Sequence, residues 1–260
     1  MYQNYIFDLY GTLVDIHTRE DSPSVWEKLA LFYGYHDALY TPRELQEAYG
    51  RLVQSQEEIL ARDIVAYNRR RREEKAAARN AESHEGYPEI QIETVFEGLY
   101  REKGVESDKQ LTIHTGQMFR ALTTEYICLY PGVKEMLERL HKSGKGVYLL
   151  SNAQKIFTEY ELHMLEIVQY FDGIMISSEY GVKKPDIRFF EILLDTYCLD
   201  PEESIMIGND ALCDIEGAKL AGMDTCYIHS NISPPGDSNV NATYVQMKMD
   251  MEKVCRMLGI

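Results

Sequence analysis

Tyr5-Ile6-Phe7-Asp8-Leu9-Tyr10-Gly11-Thr12-Leu13 is the stretch that decides the fold. A short apolar run stops abruptly at a carboxylate, and a Gly-Thr turn follows. An unbroken run of β-forming residues closed by a turn signal suits a strand sealed on both faces, as in a parallel sheet. In open α/β sheets the chemistry gathers just beyond the carboxyl ends of the strands, where the loops diverge. Asp8 stands at that place. Taken alone it reads equally as a catalytic carboxylate or as the cap or turn former that ends many buried strands.

Downstream of Tyr130 the chain alternates between the two periods. Pro131-Gly132-Val133 opens a helix with Val133, Met136, Leu137 and Leu140 on one face, and Gly144 closes it. A strand is expected at Val147–Leu150, a helix near Phe157–Val168 and a strand at Ile174–Ile176. Asp186 caps the next helix; a strand at Ile205–Ile207, a helix over Asp214–Ala221, a strand at Thr225–Ile228, an edge strand at Tyr244-Val245 and a final helix to Leu258 follow. Strands separated by helices of about ten residues form right-handed βαβ units, hence a parallel sheet.

Between the first strand and the rest, from Ile16 to Tyr126, the pattern is helical throughout. Val25, Trp26, Leu29, Ala30 and Phe32 share a face. Thr41-Pro42-Arg43-Glu44 is a capping box with proline in the first turn, opening a helix expected to run to about Ala78. Arg69–Arg72 with Glu73, Glu74 and Lys75 form a charge run, a solvated face before it is an anion groove. Breaks fall in Asn80–Pro88, and helices are expected over Gln91–Lys103 and Lys109–Tyr126. The economical architecture is an α/β core, residues 1–16 and 127–260, with an all-helical domain, residues 17–126, inserted after its first strand.

Four clusters end the core strands: Asp8 with Tyr10 and Thr12; Ser151 with Asn152; Lys184 in Gly181-Val182-Lys183-Lys184-Pro185-Asp186; and Asn209, Asp210 and Asp214. In a parallel sheet these ends share one edge. They supply a nucleophile, hydroxyl and amide donors, a fixed cation, and carboxylates able to hold a divalent ion. Such a set suits attack by Asp8 on an anionic group whose developing charge is spread over oxygens.

Asp8-Leu9-Tyr10-Gly11-Thr12 resembles the first motif, D-x-D-G-T, of the haloacid dehalogenase superfamily, and the other clusters fall where that family places its remaining motifs. The resemblance implies a Rossmann-like core, a helical cap over the site, and Asp8 as a nucleophile that becomes transiently acylated. It implies Ser151 as the second motif and Lys184, before Pro185, as the third, with Lys183 the neighbour out of register. Catalytic roles are thereby expected of Asp8, Thr12, Ser151, Asn152 and Lys184, and substrate contacts of Tyr10, Gly11, Ser151 and Asn152. Where the family has Gly-Asp with a later Asp, this chain has Gly208-Asn209-Asp210 with Asp214. Either Asn209 replaces the first acid or Asp210 serves instead. A Mg²⁺ ion is expected on Asp8, the Tyr10 carbonyl and Asn209 or Asp210, with Asp210 favoured and Asp214 in support.

Tyr10 is the sharper departure. The family's phosphatases carry there a second Asp, the acid/base for the leaving group; a phenol of pKa about 10 is poorly suited to that task. L-2-haloacid dehalogenases are similar at this position, and halide departs without a proton, although their cap arginine has no counterpart assignable by position and their fourth motif has fewer acids. The leading expectation is a Mg²⁺-dependent phosphatase acting on a small phosphorylated compound. The alternatives are a dehalogenase-like hydrolase and a non-catalytic, phosphoryl-ligand-binding regulator.

Composition narrows the partners. The chain has 260 residues, 45% of them hydrophobic, and a net charge of −15, which disfavours nucleic acid and anionic membranes. Its cysteines, Cys128, Cys198, Cys213, Cys226 and Cys255, are odd in number, widely spaced and without a Cys-x-x-Cys pair, as expected for reduced cytoplasmic thiols. Cys213, inside the fourth cluster, is expected to serve packing. No signal peptide or membrane-spanning run is visible.

Overall fold

A computed structural model describes residues 2–75, 86–236 and 239–260. The core sheet has six strands, all parallel: β1 (Asn4–Phe7), β4 (Gly146–Ser151), β5 (Gly173–Ile176), β6 (Ser204–Gly208), β7 (Asp224–Ile228) and β8 (Tyr244–Gln246). Their spatial order is β5-β4-β1-β6-β7-β8. The first strand is therefore central, with Tyr5 level with Val147 on one side and Ile205 on the other. The chain passes from β1 out to β4 and β5 and then crosses to β6 on the other side. The connections therefore diverge on either side of β1 and open a crevice beyond its carboxyl end.

The alternation of side chains divides the core in two. Tyr5 and Phe7 point with Val147, Leu149, Ile205 and Ile207 toward α5 (Val133–Lys142) and α10 (Met251–Leu258). Ile6 points with Tyr148, Leu150 and Met206 toward α8 (Ile187–Tyr197) and α9 (Gly217–Leu220). Burial on both faces is why β1 reads as continuously apolar, each such side chain contributing about 1.5–3 kcal/mol. Two further helices, α6 (Lys155–Met164) and the short α7 (Ser177–Tyr180), follow β4 and β5.

The insert holds α1 (Pro23–Gly34), α2 (Pro42–Lys75), α3 (Ile92–Glu102) and α4 (Lys109–Thr123). Val25, Trp26, Leu29, Leu45, Phe96 and Phe119 form its separate core, to which Ile156 of α6 is joined. The capping box is formed: Glu44 N–H donates to Thr41 Oγ1 (3.3 Å) and Thr41 N–H to Glu44 Oε2 (2.8 Å). The expected end of α2 near Ala78 and most of the Asn80–Pro88 breaks lie outside the described residues, as do the side chains of the 69–75 charge run.

Three local expectations needed correction. The helix expected over Lys109–Tyr126 ends at Thr123; Thr124–Leu129 is a strand, β3, paired antiparallel with β2 (Val14–Thr18). This ribbon joins insert to core, and its pairing, Val14 with Leu129, is between residues too far apart for local periodicity to report. The helix after β4 stops at Met164, ahead of a left-handed Glu166 at φ 56°. The helix expected over Asp214–Ala221 is present but begins earlier, as a π-helix over Ala211–Glu216 that runs into α9.

Candidate active site

The loop after β1 is fixed by the backbone before any side chain acts. Asp8 N–H donates to the Ile207 carbonyl (2.9 Å), and the Leu9 carbonyl accepts from the N–H groups of Leu13 (2.9 Å) and Val14 (2.9 Å). This winds the chain so that Thr12 faces back to Asp8. Gly11 sits at φ 90°, and a Cβ there would fall 2.2 Å from Asn209 Nδ2. Both the dihedral and the close approach of the β6 loop require glycine.

Lys184 lies at the centre, 1% exposed. Its Nζ donates to Asp8 Oδ1 (2.7 Å), Asp214 Oδ1 (2.7 Å) and the Leu150 carbonyl (2.7 Å). All three ammonium protons are thereby engaged. Burial alone disfavours the ammonium, but the Asp214 and Asp8 carboxylates outweigh it and hold the lysine pKa above its ordinary value. For Asp214 burial dominates and pushes its carboxyl up, Lys184 opposes this, and the neighbouring Asp8 charge adds to it. The two tendencies conflict. Hydrogen bonding decides for the ion pair, because Asp214 accepts from Lys184 on one oxygen and from Asp210 N–H (3.0 Å) on the other.

Asn152 clamps the Lys184 backbone: its Nδ2 donates to the Lys184 carbonyl (2.9 Å) and its Oδ1 accepts from Lys184 N–H (2.8 Å). Its amide therefore orients the lysine. Lys183 points elsewhere, with Nζ 4.0 Å from Glu89. Residues 86–91 of the insert lie against this loop, Lys183 N–H donating to the Tyr87 carbonyl (3.0 Å) and Glu89 N–H to the Gly181 carbonyl (3.1 Å). Ser151 is fully buried, and its Oγ has no hydrogen-bond partner. It lies one residue past Leu150, on the strand beside β1.

Thr12 Oγ1 is 3.3 Å from Asp8 Oδ2 and 3.2 Å from Asn209 Oδ1, which brings those two oxygens to one hydroxyl. Asp210 behaves otherwise. Its Oδ1 accepts from the N–H groups of Leu212 (2.9 Å) and Cys213 (2.7 Å), capping the turn that carries Asp214. Burial, then the Asp210 and Asp214 charges, push the Cys213 thiol up to about 12, leaving it protonated and inert.

Sequence reasoning missed where the Tyr10 side chain goes. Its hydroxyl donates to Glu161 of α6 and lies 3.0 Å from Thr158 Oγ1. Glu161 in turn accepts from Arg120 of α4 at Nε (2.6 Å) and Nη2 (3.3 Å), and the guanidinium stands 5.6 Å from the Tyr10 ring centroid. Burial first, then the Glu161 charge, raise the Tyr10 pKa well above that of a free phenol. The available signal was weak: Arg120 follows Phe119 on a buried helical face, and Glu161 precedes Leu162 on another.

Charge and donor chemistry bear on a metal. Two buried carboxylates face one ammonium, so one negative charge is left over beside Asp8. Among the described residues no three acidic, imidazole or thiol side chains form a metal-binding group. Mg²⁺, however, is held by one or two carboxylates and completed by carbonyls, waters and substrate oxygens. The Asp8 carboxylate and the Asn209 side-chain oxygen, which meet at the Thr12 hydroxyl, fit that pattern in donor type.

A family model described as haloacid dehalogenase-like hydrolase matches residues 2–222. A glyceraldehyde 3-phosphate phosphatase of Pyrococcus furiosus is 35% identical over 102 residues, 39% of this chain and 42% of that one. A phosphoserine phosphatase of Thermus thermophilus is 30% identical over 106 residues, 41% of this chain and 43% of that one. The matched segments span less than half the length of these two relatives. A solved 2-haloacid dehalogenase of Pseudomonas syringae superposes with a TM-score of 0.63 at 18% identity, over 100% of this chain and 99% of that one, a likeness of fold. With the family match running through the first four strands of the sheet, the insert and all four strand-end clusters, the chain belongs to the haloacid dehalogenase-like hydrolases.

Proposed function

We propose that the protein is a Mg²⁺-assisted phosphatase of small phosphorylated compounds, with Asp8 as the nucleophile. The observation that carries this reading is the buried, unpartnered Ser151 hydroxyl, one residue past Leu150, whose carbonyl accepts from the same Lys184 ammonium that holds Asp8. A buried donor without an acceptor is costly, and a phosphoryl oxygen removes the cost. The phosphatase names of the two relatives agree with it.

Asp8 Oδ2 attacks phosphorus while Oδ1 stays on Lys184. Ser151 and Thr12 donate to the transferring oxygens, and Asn152 keeps Lys184 in place. Asp8, the Tyr10 carbonyl and Asn209 would hold the ion, and Asp210 serves the turn instead. Bound there, Mg²⁺ would neutralise the charge of the phosphoryl oxygens. Residues 17–126 act as a cap and 1–16 with 127–260 as the catalytic core, the β2–β3 ribbon being the joint. We place its action in the cytoplasm, on free small molecules rather than nucleic acid or lipid. No helix among the described residues is long and apolar enough to cross a membrane.

Tyr10 supports a second reading, dehalogenation, since a halide needs no proton. Arg120, the insert's cation nearest that ring among the contacts described, is paired with Glu161 and so is not a ready halide or carboxylate receptor. The test is a screen of phosphomonoesters and 2-haloacids with Mg²⁺ and with EDTA. Phosphate release that needs Mg²⁺ supports the proposal, and EDTA-insensitive halide release overturns it. Silence on both panels, with phosphate still raising the melting temperature, assigns a binding role.

A further inference from the structure

We infer that the preferred substrates are activated phosphates, acyl or aryl phosphates whose leaving group departs as a stable anion, rather than simple alkyl phosphates. The inference rests on the phosphatase reading and adds the substrate class to it.

The ground is an inventory of protons around Asp8. Lys184 has its three directed to Asp8, Asp214 and the Leu150 carbonyl. Asp214 accepts on both oxygens, and Asp210 Oδ1 accepts two backbone N–H groups. The Tyr10 hydroxyl, two residues from the nucleophile, donates to Glu161, which is itself held by Arg120. Thr12 and Ser151 are alcohols, no more acidic than the alcohol that a leaving alkoxide would become. Within this ring of contacts the ammonium and phenol protons are each directed to a protein acceptor and away from a leaving group on Asp8. On the insert, Glu20 lies near Arg120 and is raised by burial, so it must be tested as an outside donor.

The chemistry then balances without an acid. Asp8 Oδ2 forms a bond to phosphorus and the bond to the leaving oxygen breaks, its electron pair departing with a carboxylate or phenolate. Water adds to phosphorus next; the bond to Asp8 breaks, the carboxylate is regenerated, and the water proton leaves on inorganic phosphate or to solvent. A carboxylic acid has a pKa of about 4 and a phenol about 10, so such anions leave unaided near neutrality. An alkoxide lacks general-acid help worth roughly 10²–10⁴-fold.

The experiment measures kcat/KM with Mg²⁺ for acetyl phosphate, a graded series of aryl phosphates, and alkyl phosphates such as glycerol phosphate. This parameter reports the steps up to leaving-group departure, even when later hydrolysis limits kcat. The expected result is a steep decline with leaving-group pKa, alkyl phosphates falling at least ~10²-fold below acetyl phosphate. The same slope in Tyr10→Phe and Glu20→Gln, whatever their absolute rates, supports the inference. A shallow slope in the unaltered protein, or one that steepens in either variant, overturns it and identifies a donor. Absence of phosphate release from every member removes the phosphatase reading itself, a different outcome from a shallow slope.

Discussion

Replacing Lys184 by methionine keeps the length of the side chain and removes its charge. The ammonium is 1% exposed and makes three contacts of 2.7 Å, two of them to carboxylates. Its loss strands Asp8 and Asp214 in the interior, and removing one partner of a buried ion pair costs about 3–5 kcal/mol. With a urea m-value near 3 kcal/mol/M, the unfolding midpoint should fall by about 1 M or more at neutral pH. The sign with pH follows from the direction of each shift. Lys184 is raised in the fold, so its contribution is complete below the unfolded lysine value of about 10.4 and is lost only as pH climbs through the folded value. Asp214 is raised as well, so its contribution is greatest below the unfolded value of about 3.9 and declines as pH rises through the folded one. In Lys184→Met this second behaviour is amplified, because the charge that opposed it is gone. The gap between the two proteins should be widest at neutral pH and narrow toward about pH 4 as the Asp214 carboxyl takes a proton. Urea unfolding followed by circular dichroism, in EDTA so that no cation replaces the ammonium, measures it. A gap equal at neutral and acidic pH would show that the loss is one of packing, and would refute the charge argument.

Ser151→Ala should leave the melting temperature unchanged or slightly raised, because it deletes a buried donor that has no partner, yet raise KM for phosphate esters by about tenfold; a fall in stability would show a partner in the fold. Asp8→Asn should stay folded and lose turnover, while Lys183→Ala keeps most of it; steady-state rates on one accepted substrate decide both. Arg120→Met should leave Glu161 buried and unpaired, costing about 3–5 kcal/mol and loosening the insert against Tyr10, read as faster proteolysis of the insert and a lower melting temperature; an unchanged protein would mean the pair is worth no more than a surface one.

The fold was legible because its strands announce themselves locally. Tyr5–Phe7, Val147–Leu150 and Ile205–Ile207 are short apolar runs, each followed by polar residues, and burial on both faces requires that composition. The ribbon was not legible, since Val14–Thr18 and Thr124–Leu129 are half-exposed and gain their strand character from each other.

From the sequence alone follow the parallel sheet, the helical insert after β1 and the convergence of Asp8, Ser151, Lys184 and Asp214 at one edge, because these depend on period, order and chain direction. The tertiary structure alone decides how those groups are used. Asn209 rather than Asp210 lies on the Thr12 hydroxyl beside Asp8, Asn152 grips a backbone, and Tyr10 reaches across 151 residues to Glu161. Each of these depends on which hydrogen-bond partner is in reach once distant elements pack, and no local pattern in the chain encodes that distance.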